Sequence, residues 1–191
     1  MNKTYLIIGF IVMIAAQWFV PGQMIVQQER VLTEGTAYKF KTMPIDPSDP
    51  LRGKYIYLNF EMQNAFTKDS TISYGADLYV YLKNDADGFA KATEASKVKL
   101  KIDQDYIKVK ANSFYQDTIN FSVPFTTFYM EESKAYPAEA LVRQANRDSI
   151  LNNCYGLVFI KDDRAVLDDV MINDQPIKEY VAAHLKENTE Q

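Results

Sequence analysis

The side chains with the most obvious chemical capacity lie between Met43 and Tyr55, where prolines, acids and one arginine alternate. Three prolines fix φ and remove backbone donors, so the pattern predicts a stiff loop that precedes a strand. Arg52 can form charge-assisted hydrogen bonds with Asp46 or Asp49. The loop is therefore either a preformed recognition site or a structural crossover braced by an ion pair. The predicted binding residues are Asp46, Asp49, Arg52, Gly53 and Tyr55.

A catalytic alternative takes Ser48 as a reactive serine, because Ser48 and Gly53 are faintly similar to the reactive Ser and the later Gly-Asp-strand pattern of membrane-tethered serine–lysine peptidases such as signal peptidases. That chemistry needs a desolvated, neutral lysine beside the hydroxyl. The Ser-Met-x-Pro core of those enzymes is absent, because Asp49 and Pro50 follow Ser48. Lys54 also begins an alternating strand on its polar face. The sequence therefore predicts no catalytic site and leaves the hydrolase as the alternative.

Metal and cofactor sites have little support in the sequence. His184 and Cys154 are the only histidine and cysteine, which excludes an internal disulfide and a zinc site built from these two residue types. The segment Asp85–Gly88 resembles part of a calcium loop, but Lys83 stands where the first carboxylate would bind the metal. A β-turn with Gly88 at its tight position is the prediction there. No metal and no cofactor are expected.

Charge and aromatic patterning suggest two further surfaces. The net charge of −4 and the pI of about 5.1 argue against a nucleic-acid partner, which would need a basic surface. A set of lysines on two predicted strands is either a surface for anionic lipid headgroups or a solvated face that blocks strand pairing: Lys97, Lys99, Lys101, Lys108 and Lys110. A set of tyrosines is either a stripe for a glycan or protein partner or a half-buried sheet face: Tyr55, Tyr57, Tyr79 and Tyr81.

The N-terminal segment is uncharged and apolar from Tyr5 onward. A helix from Tyr5 to Ile25 would span roughly 30 Å, enough to cross a bilayer. We predict an uncleaved anchor at residues 1–26 and a separate domain at residues 27–191. A cleaved signal peptide is the alternative, although apolar residues continue past Ala16. Lys3 favours a cytoplasmic N-terminus and an extracytoplasmic domain.

Alternating apolar residues predict strands through most of the remaining chain. The alternating sets include Ile56, Leu58 and Phe60; Leu78, Val80 and Leu82; Val98, Leu100 and Ile102; Ile107 and Val109; and Ile119, Phe121 and Val123. Residues 157–160 predict a central strand that leads through a turn at residues 162–164 into the next strand. Helical spacing after Pro137 and Pro176 predicts two short helices. The fold class is therefore α+β, with one transmembrane helix before a mostly antiparallel domain.

The proline-rich loop and the strand after it resemble the signature of the GDYXXLXP proteins, which are small, membrane-anchored bacterial proteins without an established activity. The resemblance rests on the spacing Pro44-x-Asp46-Pro47-x-Asp49-Pro50-x-Arg52-Gly53-x-Tyr55-x-x-Leu58. The anchor, the segment from Phe128 to Glu132 and a closing hairpin near Ile177 extend it over nearly the whole chain. Lys54 departs from the Asp of the name, and Phe60 departs from its final Pro.

The resemblance implies a single-pass protein of the bacterial inner membrane that works beside a multi-pass membrane partner, and it implies no reaction. We therefore expect a non-enzymatic, extracytoplasmic interaction or accessory domain whose contact surface is the proline-rich loop. The serine–lysine hydrolase and a module that binds lipid or envelope polymer are the alternatives.

Overall fold

The computed structural model describes residues 3–43, 55–130, 137–138, 141–142 and 154–187. A long apolar helix precedes a mostly antiparallel β-rich domain that closes with a short helix, which confirms the predicted fold class. The helices are α1 (Lys3–Glu34) and α2 (Ile177–Glu187), and the strands are β1 (Thr36–Met43), β2 (Tyr55–Tyr57), β3 (Asn59–Phe60), β4 (Asn64–Phe66), β5 (Asp77–Asn84), β6 (Ala90–Ser96), β7 (Tyr106–Tyr115), β8 (Thr118–Ser122), β9 (Thr127–Tyr129), β10 (Cys154–Lys161), β11 (Arg164–Ile172) and β12 (Gln175–Pro176).

Helix α1 is long and apolar enough to cross a membrane, and its apolar stretch makes no buried contact with the domain. Pro21 lies inside it. The helix continues beyond residue 26 through a polar end to Glu34. Its last turns, and not its apolar stretch, contact the domain. There Val31 is buried and its carbonyl accepts a hydrogen bond of 2.9 Å from the Gly35 amide.

The strands form two five-stranded antiparallel sheets and one two-stranded ribbon. The first sheet has the order β12-β11-β10-β1-β3, and its central strand β10 pairs with both β1 and β11, as predicted. The second sheet has the order β4-β8-β7-β5-β6, and its two edge strands approach each other, so the sheet curls towards a barrel. The ribbon consists of β2 and β9.

One hydrophobic core joins both sheets, the ribbon and α2. At its centre three phenylalanine rings pack edge to face, with centroids 4.9 Å apart for Phe40 and Phe125, 5.5 Å for Phe60 and Phe125, and 6.0 Å for Phe40 and Phe60. Such pairs contribute beyond the area they bury. The rings come from β1, β3 and the loop before β9, so the core fixes where the ribbon lies.

Most predicted strands are confirmed, but the one around Val98 is wrong. Residues 97–102 form a loop, with Val98 69% and Ile102 44% exposed. The strand lies upstream at β6, where Ala95 is its one buried hydrophobic residue. Pairing with β5 determines this strand, and its small and polar residues give no alternating apolar signal.

Both predicted short helices are helical at the residues that the structure describes. Helix α2 follows Pro176 and buries Ile177 and Val181. The described residues after Pro137 are helical, and Ala138 and Val142 are buried; the remainder of that predicted helix lies outside the described residues.

Candidate interaction surface

The described part of the family-like signature begins at Tyr55, on the ribbon of β2 and β9. Tyr55 pairs with Tyr129 and Ile56 with Phe128. Ile56 and Phe128 are buried, and neighbouring residues of a strand point to opposite faces, so the tyrosines point outward. Tyr57 is 47% and Tyr129 72% exposed, and the rings of Tyr55 and Tyr129 have centroids 5.7 Å apart. We call Tyr55, Tyr57 and Tyr129 the tyrosine surface.

Of the predicted binding residues, the structure places only Tyr55. Asp46, Asp49, Arg52 and Gly53 lie outside the described residues. The same holds for Ser48 and Lys54, so the hydrolase alternative stays a sequence prediction.

The later positions of the signature have a structural role. Leu58 and Phe60 are almost fully buried, and the Leu58 amide donates a 2.7 Å hydrogen bond to the carbonyl of Thr126. The signature therefore divides into an outward Tyr55 and an inward pair that fastens the strand to the core. Tyr129 was not among the predicted site residues, although it belongs to the segment 128–132 that carried part of the resemblance.

The predicted aromatic stripe and basic face are not continuous surfaces. Tyr79 and Tyr81 lie on β5 of the second sheet, apart from the ribbon, and Tyr81 is 1% exposed. Its hydroxyl accepts a 2.6 Å hydrogen bond from the Leu100 amide, because the loop after β6 crosses this face. Tyr81 is thus a buried support for that loop.

Most of the predicted basic residues already have partners. The ammonium groups of Lys97, Lys108 and Lys110 lie 2.9, 2.8 and 2.9 Å from carboxylates of Asp69, Asp163 and Asp77, respectively. The Lys99 ammonium lies 4.8 Å from the centroid of the Tyr106 ring. The first three lysines are each neutralised by a carboxylate, and the fourth makes a cation–π contact that leaves its charge in place. Within the described part of the chain, Lys101 has no carboxylate within ion-pair distance.

The calcium-like segment is a β-turn, as predicted. The Gly88 amide donates to the carbonyl of Asp85 at 3.2 Å, and Gly88 has a φ of 82°. The carboxylate of Asp85 accepts hydrogen bonds from the amides of Asp87 and Phe89 at 3.0 and 2.9 Å. Among the described residues, no group of three or more His, Cys, Asp or Glu side chains could hold a metal ion.

Two buried tyrosines and the buried cysteine have raised pKa values with structural causes. Burial, and then the hydrogen bond to Asp105, raise the pKa of Tyr38 to about 12. Burial and the hydrogen bond to Asp174 likewise raise the pKa of Tyr155. Burial raises the pKa of Cys154 to about 11. These shifts disfavour the ionised forms, so none of the three groups is prepared to act as a nucleophile or base near neutral pH.

A cleft of about 250 Å³ opens where β3 and β4 approach the start of β6. Lys41 and Glu61 line it and form an ion pair of 3.8 Å, while Lys91 contributes a second cation. Sequence analysis did not identify this cleft, because its lining residues are distant in the chain and follow no motif.

A protein-family model described as "GDYXXLXY protein" matches residues 17–170, from the second half of α1 into β11. The chain therefore belongs to this family, which is the family of the motif resemblance under a nearly identical name. The final letter of the description is Tyr, so the aromatic Phe60 fits that position, whereas Lys54 still departs from the Asp. No curated protein and no solved structure matches the chain.

Proposed function

We propose that this member of the GDYXXLXY family is a single-pass membrane protein whose extracytoplasmic domain binds a protein partner and catalyses no reaction. The proposal depends on the tyrosine surface, in which Tyr57 and Tyr129 are exposed on a ribbon that the core holds in place. Tyrosines are enriched in protein interfaces because they supply a large contact area with a polar tip. Here the family-like signature and the segment 128–132 supply strands that pair directly.

The membrane anchor is the second part of the proposal. Ile7, Phe10 and Phe19 of α1 are 59%, 59% and 69% exposed, which is costly in water and favourable in a bilayer. The helix is continuous to Glu34 and packs into the domain through Val31. That continuity favours a retained anchor over a cleaved signal peptide. Lys3 at the N-terminus supports a cytoplasmic start in the inner membrane.

The proline-rich loop would adjoin the tyrosine surface in sequence, since Tyr55 follows it directly. We keep Asp46, Asp49, Arg52 and Gly53 as proposed contacts on the sequence argument alone. A multi-pass membrane protein is the proposed partner, as the resemblance implies. The hydrolase alternative predicts that Ser48→Ala abolishes an activity, whereas the accessory proposal predicts that it leaves partner binding unchanged.

Site-specific photo-crosslinking in cells tests the proposal. A benzophenone amino acid replaces Tyr129 in the full-length protein, and the matched control replaces Tyr115, which is 68% exposed against 72% for Tyr129. We expect one defined adduct from position 129 that position 115 does not give, and its loss in an Arg52→Ala variant shown to be folded. Identical adducts from both positions, or none from position 129, would contradict a partner at the tyrosine surface.

A further inference from the structure

The joint between α1 and the domain has no flexible linker. Val26 is the last residue of the apolar stretch, Gln27 is half-buried and Val31 is 2% exposed. The helix rises about 7.5 Å over the five residue steps from Val26 to Val31. The headgroup layer on each side of a bilayer is about 5–7 Å thick. If the apolar stretch lies in the hydrocarbon, the domain begins at the outer edge of the headgroups.

A series of contacts shows which part of the domain lies next to the C-terminal end of α1. Glu34 at the end of α1 forms an ion pair with Lys161, the last residue of β10. The turn that follows contains Asp163, whose carboxylate binds Lys108 of β7 at 2.8 Å. Asp105, at the end of the loop before β7, accepts a 3.0 Å hydrogen bond from the hydroxyl of Tyr38 in the first half of β1. The loop at residues 97–105 therefore lies beside the helix end, held there through β1 and through Lys108 just after the loop.

This loop is fixed in position and exposes apolar side chains. The Leu100 amide binds the Tyr81 hydroxyl at 2.6 Å, and the Leu82 amide donates to the Asp105 carbonyl at 2.9 Å. Ile102, between these points, is 44% exposed, and Val98, two residues before Leu100, is 69% exposed. Val and Ile side chains that are exposed to this extent forgo part of the free energy that burial would give them.

We propose that residues 97–105, the membrane-facing loop, rest in the headgroup layer of the bilayer that α1 crosses. Val98 and Ile102 insert among the lipids, and the ammonium of Lys101 binds lipid phosphate while its aliphatic part lies against the acyl chains. Residues 97–102 of the loop alternate lysine and aliphatic residues, a composition suited to this boundary. The inference rests on the anchor of the proposed function and adds a second membrane contact to it.

Lipid quenching of a fluorophore on single introduced cysteines tests this contact. The native Cys154 is 2% exposed with a pKa raised to about 11, so an introduced surface thiol takes the label. Full-length Val98→Cys is the test variant, and Tyr115→Cys is the control because position 115 is equally exposed, at 68%, and lies at the opposite end of β7. Val26→Cys reports on the anchor itself.

Each variant is labelled with nitrobenzoxadiazole and reconstituted into vesicles of phosphatidylethanolamine and phosphatidylglycerol that contain nitroxide-labelled lipid. We expect strong quenching at positions 26 and 98, with the loss of fluorescence at position 98 severalfold larger than at position 115. Quenching at position 26 with equal, weak quenching at positions 98 and 115 would overturn the membrane-facing loop and leave the anchor standing. No quenching at position 26 would overturn the anchor and the loop contact together.

A second pair of variants tests the role of Lys101. Lys101→Glu should reduce quenching at position 98 in these anionic vesicles. Lys83→Glu, which changes a lysine that is also exposed but lies on β5, should leave it unchanged. Equal effects of the two changes would contradict a specific contact of Lys101 with lipid phosphate.

Discussion

Replacing Gly156 by alanine should destabilise the domain, although alanine normally suits a strand better. Gly156 is buried in the middle of β10, opposite Phe40 of β1, and it is not among the described glycines with positive φ. A Cβ atom there would lie 3.0 Å from Cε1 and 3.2 Å from Cζ of Phe60, and 3.0 Å from Cδ1 of Leu167. The absent side chain thus gives space to the tip of the Phe60 ring.

Two opposing terms set the size of the effect. Gly→Ala at a compatible backbone conformation stabilises by roughly 0.4–1 kcal/mol through the unfolded state. Forcing a methyl group into a packed core costs about 1–3 kcal/mol. Leu167 is half-buried and can rotate, but Phe60 is 1% exposed and confined by Phe40 and Phe125. We therefore expect a net loss of about 1–2 kcal/mol, which lowers Tm by roughly 2–8 °C.

Thermal unfolding of the full-length protein in detergent measures this loss. Near-ultraviolet circular dichroism of the tyrosines should be followed, because the single tryptophan, Trp18, lies exposed on α1. Phe60→Leu removes the ring tip, so the double variant with Gly156→Ala should be more stable than the sum of the single changes predicts, by about 0.5–3 kcal/mol. An unchanged or higher Tm for Gly156→Ala, or an additive cycle, would refute the steric argument.

The described contacts lead us to expect three further experimental results. Hydrogen bonds from Thr71 and Lys97 hold the pKa of Asp69 at about 2 instead of 3.8. The ionised Asp69 therefore stabilises the folded protein fully above pH 3.8, and this stabilisation is lost as the pH falls towards 2. Asp69→Asn should flatten the fall of Tm in that range. The Cys154 thiol should react with Ellman's reagent at about pH 8 at least a hundredfold more slowly in the folded than in the urea-unfolded protein. The reason is that burial lowers both the ionised fraction of the thiol and the access of the reagent to it. Equal rates would contradict the buried position. Gln116 and Asp117 have φ of 45° and 61° in the turn between β7 and β8, so replacing them by Asn-Gly should raise the unfolding free energy by about 1 kcal/mol, and a lower value in denaturant unfolding would count against that turn geometry.

Local alternation was enough to predict the strands that combine a buried and an exposed face. Ile56, Leu58 and Phe60 are buried as predicted, because Ile56 and Phe60 lie on the inward faces of β2 and β3 and Leu58 lies on the same side between the two strands. The unbroken apolar run at residues 157–160 predicted a central strand, and β10 has neighbours on both sides.

The loop after β6 could not be predicted in this way. Val98, Leu100 and Ile102 alternate with lysines as a surface strand would, yet they lie in a loop. Alternation records only that one set of side chains is apolar. It does not show whether a neighbouring strand is available for backbone hydrogen bonding. In this sheet β5 pairs with β6 and not with residues 97–102. The exposed apolar residues that misled the strand prediction are those proposed to contact lipid.

The candidate site was predictable in part for a related reason. Tyr55 was identified from the signature, but its neighbour Tyr129 is distant in sequence and comes next to it only through the pairing of β2 with β9. The tyrosines of β5 share the spacing of Tyr55 and Tyr57 but belong to another sheet. Spacing along the chain therefore grouped the wrong aromatic residues, and only the strand pairing separates them.

The two proposed contacts lie at opposite ends of β1, and this constrains the partner. Strand β1 begins two residues after the end of α1, and its last residues, Thr42 and Met43, pair with β3. Strand β2 precedes β3, so the tyrosine surface lies towards the far end of β1. An eight-residue strand spans about 25 Å. Because α1 joins the domain without a linker, the tyrosine surface stands at a fixed distance from the helix end. In the proposed topology, a membrane partner must therefore reach this surface with an extracytoplasmic segment, because its transmembrane helices alone would not meet it.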